Sequence, residues 1–272
     1  MKKTTVIMIA IAVGVLIAIE GLILYGSTYL QPFDNRYIVT TDESVEIPLR
    51  PFTSLKLRGT YSPDVDLPNQ APFVISQSDS VDCPILIISE NLAEKIDTVF
   101  KDGKFIFSFR ESDDVTSGEI LREIIKFTRP ITLRVPSMPD SITNEFIFPV
   151  TLSGKSKRKI TLSTKGNFNF VNVDLDSLTI TGQSNMTSDD NKPGFENSHI
   201  GHLLIHDYRR PFFIQSDSIS RINVMTILGQ NDYEQKFTPG NMQIDKFTFI
   251  PADSMSRITL TDYHTLTTPF NR

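Results

Sequence analysis

Two hydrophobic patterns divide the chain. The first is one unbroken run: residues 6–19 carry no polar side chain, Glu20 interrupts, and residues 21–25 are again uncharged and mostly apolar. As a helix, residues 6–25 would span about 30 Å, the thickness of a bilayer's hydrocarbon core. The basic start Met1-Lys2-Lys3 precedes it. This pattern predicts a cytoplasmic tail over 1–5 and a transmembrane anchor or signal peptide over 6–25. The small residues Gly26, Ser27 and Thr28 follow Leu24 and Tyr25, which suit a cleavage site poorly, so the anchor is the preferred reading. No cysteine follows the run to take a lipid. With either outcome, the chain after about residue 26 is expected outside the cytoplasm.

The second pattern is alternation. Apolar residues two apart flank a single position at Leu55/Leu57, Ile85/Ile87, Phe105/Phe107, Ile131/Leu133, Phe146/Phe148, Ile160/Leu162 and Phe168/Phe170. Short strands separated by Gly, Asn, Asp, Ser and Pro predict an all-β region, here over 51–265, after a stalk over 26–50 that holds Pro32 and Pro48. One segment departs from period two. Thr116 to Glu119 has capping-box spacing, Ile120, Leu121, Ile124, Ile125 and Phe127 follow at helical period, and Pro130 stops the run, which predicts a short amphipathic helix over 117–127.

The second half repeats itself. An apolar-x-x-apolar-x-apolar template fits Leu175/Leu178/Ile180, Ile200/Leu203/Ile205, Ile219/Ile222/Val224, Ile244/Phe247/Phe249 and Met255/Ile258/Leu260. Asp217-Ser-Ile-Ser-Arg-Ile222 and Asp253-Ser-Met-Ser-Arg-Ile258 match nearly residue for residue. Repeats of this size predict a β-solenoid, whose stacked coils together bury a face that no single coil can bury. A β-sandwich gives the same alternation without a coil repeat. The Asn and later Leu positions of a leucine-rich repeat are missing.

Composition narrows the function classes. The 272 residues are 39% hydrophobic and 22% charged, with a formal charge of -5. That excludes a disordered chain, and the acidic balance argues against a nucleic-acid partner. Without Lys2, Lys3 and Glu20 the exported part keeps 25 basic and 31 acidic residues, a formal charge of -6. The lone Cys83 forms no internal disulfide and no multi-cysteine metal site.

Residues 51–108 carry a set of positions in a fixed order: Phe52 before an alternating strand, then Gly59, Asp64-Val65, Asn91-Leu92 and Asp102-Gly103 before another strand. In this order the chain resembles the "putative auto-transporter adhesin, head GIN domain" family of bacterial envelope proteins. It departs from that pattern by insertions over 69–72 and 79–84 and by the expected helix over 117–127. The resemblance implies a right-handed β-helix, a bacterial envelope location and a binding or scaffolding role, with no catalytic residues to carry over. The implied placement is the inner membrane, single-pass, with the β region in the periplasm.

Candidate chemistry is sparse. His202 and His206 stand four residues apart on an expected strand, about 13 Å, too far for one metal ion. His264 is isolated, and no Gly-x-Ser-x-Gly elbow or phosphate-cradling glycine loop is present. The pairs Asp64/Asp66, Asp113/Asp114, Asp174/Asp176 and Asp189/Asp190 border expected strands, where Asp commonly bonds its own backbone. No catalytic residue, metal site or cofactor is therefore expected. The alternative is a carbohydrate-active enzyme on acidic polysaccharide, which would need those acids to converge.

The repeats suggest one stripe. The residue before the second apolar position is Ser177, His202, Arg221, Lys246 and Arg257 in turn. Stacked in register, these would stand about 4.8 Å apart as a ladder of His202, Arg221, Lys246 and Arg257, with either acids interleaved or an anion bound. An anionic glycan or an envelope protein is the partner such a ladder would fit. A second basic cluster, Lys155, Lys157, Arg158 and Lys159, follows Gly154 and reads as a solvated turn between two strands.

Overall fold

The computed structural model describes residues 19–20, 35–58, 64–66, 72–110, 122–146, 148–164, 168–182, 194–207 and 212–261. The chain divides into two compact units, residues 1–36 with 112–123 and residues 37–111 with 124–272. Of the first, only Ile19, Glu20, Asn35, Arg36, Arg122 and Glu123 are described. The expected anchor therefore lies, apart from Ile19 and Glu20, outside the described residues. Among the described residues no helix is long and apolar enough to cross a membrane.

The described residues form β1 (Asn35–Val39), β2 (Ser44–Pro48), β3 (Ser54–Arg58), β4 (Asp64–Asp66), β5 (Phe73–Gln77) and β6 (Ile85–Ser89). A single helical turn, α1 (Glu90–Ala93), leads to β7 (Ile96–Lys101), β8 (Lys104–Phe109), β9 (Arg122–Lys126), β10 (Ile131–Val135) and β11 (Ser141–Asn144). Two long strands follow, β12 (Val150–Thr164) and β13 (Phe168–Gly182). The chain continues through β14 (Gly194–Glu196), β15 (His199–His206), β16 (Phe212–Phe213) and β17 (Gln215–Ser216). It ends in β18 (Arg221–Leu228), β19 (Glu234–Thr238), β20 (Gln243–Ile250) and β21 (Arg257–Leu260).

The main sheet overturns the expected solenoid. It is mixed and strongly curled into a half-barrel, with the order β2-β6-β10-β5-β12-β11-β3-β8-β7 along one path. β2 with β6, β6 with β10 and β7 with β8 are antiparallel, beside many parallel pairs. In a solenoid each repeat touches only its sequence neighbours. Here β3 lies between β11 and β8, and β5 between β10 and β12, so distant segments interleave. β2, within the expected stalk, is an edge strand of this sheet.

β12 and β13 are the spine. They pair in parallel over their whole length, and each changes its outer neighbour midway. Residues 150–153 of β12 pair with β5, and residues 161–164 pair with β11. Residues 169–171 of β13 pair with β14, and residues 174–181 pair with β15. β15, β18 and β20 extend the second arm in parallel. β16, β19 and β21 form a separate parallel sheet.

Alternation explains the core. Leu178, Leu203 and Met225 stand in one row across β13, β15 and β18 and are fully buried. Each such side chain stabilises the fold by about 1.5–3 kcal/mol relative to exposure. An aromatic cluster fills the first half, where Phe107 packs edge-on against Phe73, Phe109 and Phe146. Phe146 and Phe148, expected on a strand, stack at 4.6 Å in a bend instead. Buried Asn144 holds that bend: its Oδ1 accepts the Phe146 N–H and its Nδ2 donates to the Phe148 carbonyl.

The expected helix over 117–127 is also corrected. Residues 117–121 lie outside the described residues, but Arg122–Lys126 is strand β9, parallel to β4. Ile125 and Phe127 are both buried, two residues apart, which is the period of a strand.

Candidate functional site

The expected basic ladder does not form as one row. The parallel registers align Ser177, His202, Val224 and Lys246, and on the other side of Ser177 stands Lys159. Arg221 falls in a different row, with Asp174, His199 and Gln243. Arg257 is in the other sheet, opposite Glu234 of β19. Only His202 and Lys246 of the four share a row, with Val224 between them. The third repeat starts three residues later than its template predicts: Ile219, expected inward, is 70% exposed, and Ile222 is the counterpart of Ile200.

The cause of that slip is a turn. Asp217 Oδ1 accepts the N–H groups of Ile219 and Ser220, and Asp253 Oδ1 accepts those of Met255 and Ser256. The near-identical segments thus encode the same Asp-capped turn, leading into β18 of the main sheet and β21 of the small one. Ser220 Oγ accepts the Ser198 N–H, and Ser198 Oγ accepts the Val173 N–H, so buried serines join successive turns. Hydrogen bonds from Ser220 first, then from the Asn197 backbone, lower the Asp217 pKa below its usual value. The Ser256 hydroxyl does the same for Asp253.

Acids do meet two basic residues of these strands, Arg221 and His199. Arg221 makes a bidentate pair with Asp245, with nitrogen to oxygen distances of 2.7 to 3.0 Å. His199 lies between Asp174, 3.1 Å from Nδ1, and the Asn223 Oδ1, 3.1 Å from Nε2. Both ring nitrogens face acceptors, which suits the imidazolium. The Asp174 hydrogen bond raises the His199 pKa above 6.5, against partial desolvation, and Asn223 adds to the rise. His202 Nε2 meets Thr226 Oγ1 at 3.3 Å, and His206 contacts Thr181 and Asp207. Among the described residues no group of three or more metal-ligating side chains comes together.

Of the candidate acids, Asp64 and Asp66 are on β4, and Asp174 and Asp176 on β13. Asp174 is engaged with His199, and Asp176 is exposed on the same strand. Asp113, Asp114, Asp189, Asp190 and His264 lie outside the described residues.

Period-two alternation does not mark one further concavity. A groove of about 850 Å³ crosses β5, β12, β13, β14 and β17. One register row runs along it: Val74, Thr151, Asn169, Gly194 and Gln215, on β5, β12, β13, β14 and β17. Their neighbours in sequence, Ile75, Leu152, Phe170 and Phe195, are buried, so the row lies on the face away from the core. Glu196 and Asp217 are the acids on the lining, and Asp217 is held by its turn. Alternating Asn and Thr among buried aromatics was the available signal for this face, but the pairing of β5 with β12 is not written in local sequence.

No family model and no curated protein matches this chain, so no family model supports the head GIN resemblance. The chain is similar in structure to a "putative adhesin" from Bacteroides fragilis, with TM-score 0.45 and 11% identity over 82% of this chain and 98% of that one. A "putative lipid binding protein" from Parabacteroides distasonis gives TM-score 0.37 and 12% identity over 84% and 100% of the two chains. A "putative adhesin" from Parabacteroides merdae gives TM-score 0.36 and 12% identity over 83% and 98%.

Proposed function

We propose that this chain is a non-enzymatic binding protein of a bacterial cell envelope, with an adhesive or scaffolding role, and that its groove takes an extended envelope glycan. In this reading residues 6–25 hold it in the inner membrane and the β region stands in the periplasm. The reading rests on the groove. Thr151 and Asn169 stand on adjacent strands about 4.8 Å apart, Gln215 stands two strands beyond Asn169, and the row of five strands spans about 19 Å. A shallow polar track of that length offers a sugar chain donors and acceptors in sequence.

Gly194 allows a direct test. A Cβ there would come 2.9 Å from the Asn169 Oδ1, the movable end of a side chain, so a larger residue narrows the groove without a backbone clash. Gly194→Leu is expected to abolish binding of solubilised envelope glycan fragments by the full chain in detergent, with an unchanged circular dichroism spectrum. Unchanged binding would remove the groove from the account.

A further inference from the structure

On one side of β12 the neighbouring strands leave a gap. β5 stops at Gln77 and β11 starts at Ser141, so residues 154–160 meet no strand there. A cavity of about 330 Å³ fills the gap, lined by Gln77, Ser137, Met138, Lys155, Lys157 and Arg158. The cluster expected as a turn between strands is therefore inside one continuous strand, at a fork of the sheet.

On the other side the register with β13 shifts between Leu152 and Gly154 and shifts back between Ser156 and Lys159. The first bulge places an extra residue in β13, where Asn172 has φ 53. The second places it in β12, where Lys157 and Arg158 oppose Asp176 alone. A regular strand turns every second side chain inward, whereas here Lys157, Arg158 and Lys159 are all exposed in succession. Gly154 fixes the fork: its φ is +140, and a Cβ would lie 2.5 Å from the Gln77 Cβ. Gln77 Oε1 then accepts the Lys155 N–H at 2.8 Å.

These cations are not paired as Arg221 and His199 are. Among the described residues Lys155 and Lys157 have no ion pair, and Arg158 reaches Asp140 only at 3.6 Å. The lining of the cavity carries three cations and no carboxylate, while Asp174 and Asp176 stand on the neighbouring strand, opposite Lys155 and the bulge, and make no ion pair with Lys155 or Lys157. Like charges held this close are unfavourable without an anion, and a phosphate monoester carries close to two negative charges at neutral pH. Lysine and arginine together are the usual partners of a phosphoryl oxygen.

We propose that this gap is a phosphoryl-binding site, taking a phosphate monoester either as a soluble solute or as a lipid headgroup. It is a site separate from the groove. The test uses the full chain in detergent, titrated in one arm with inorganic phosphate and glycerol phosphate, and in the other with short-chain phosphatidic acid in the micelles, phosphatidylcholine serving as the control. The expected result is saturable binding in at least one arm, weakened about tenfold or more in Lys157→Glu/Arg158→Glu. The arm that responds identifies the source. The neutral pair Lys157→Gln/Arg158→Gln, which adds no new charge to the fold, is expected to fall between, and Gly194→Leu to bind as the wild type does. Equal binding by wild type and the charge-reversed pair, absence of binding in both arms, or loss of binding in Gly194→Leu would overturn the site.

Discussion

The two arms of the β12–β13 spine carry similar charged residues and treat them differently. Along β13, β15, β18 and β20, Arg221 is closed onto Asp245 and His199 onto Asp174. Along residues 154–158 of β12, Lys155 and Lys157 stand beside a cavity and make no ion pair among the described residues, although Asp174 and Asp176 lie on the adjoining strand. Register makes the difference. Regular parallel pairing brings Asp174 and Asp245 within reach of a base on the adjacent strand, whereas two compensating bulges leave three consecutive bases exposed. Counting charges along a sequence does not separate these cases; the pairing does.

Four perturbations probe the contrast, the largest first. Leu203→Ala empties a fully buried position in the regular arm and is expected to cost about 2–5 kcal/mol in urea unfolding. Gly154→Ala strikes the bulged arm through its backbone, by forcing a side chain at φ +140 against Gln77, and is expected to cost about 1–3 kcal/mol in the same assay. Arg221→Ala removes an exposed but bidentate pair, with an expected loss of about 0.2–1 kcal/mol. Lys157→Ala should not lower stability, since no ion pair is lost; a loss as large as that of Arg221→Ala would put the two arms on the same footing.

The smallest effect is a pH dependence. The His199 pKa is raised, so its contribution is fully present below the unfolded value near 6.5 and fades as pH rises through the folded value above it. Unfolding at pH 5.5 and at pH 8.5 should show a stability difference that His199→Asn reduces. Asp217 and Asp253 act with the opposite sign. Their lowered pKa values give a contribution present above about 3.8 and lost as pH falls through the folded values.

Period-two alternation made most strands legible because inward residues must be apolar wherever a sheet buries one face. It also located the repeats, and the 25-residue step from Leu175 to Ile200 is a true strand pairing. It could not show the solenoid to be wrong, because the interleaving of β5, β12, β11 and β3 depends on contacts far apart in sequence. Asp102-Gly103, read as part of a family pattern, is the two-residue turn of the β7–β8 hairpin, both residues at positive φ. The ladder failed at Ile219, an apolar residue in a turn that imitates the inward position. The described part of the expected helix over 117–127 is a strand because Ile125 and Phe127 fit both periods, and their burial follows the strand. The basic cluster was seen, but the bulges that expose it have no signature beyond Gly154.

Lys155 and Lys157 make no ion pair among the described residues and are open to an anion, whereas Arg221 is closed onto Asp245. Thermal melting in chloride and in phosphate at equal ionic strength compares them directly, since an anion that binds the folded state raises the melting temperature. The wild type and Arg221→Ala are predicted to gain the same increment in phosphate, and Lys157→Glu/Arg158→Glu to lose it. Loss of the increment in Arg221→Ala, with retention in the charge-reversed pair, would contradict the account.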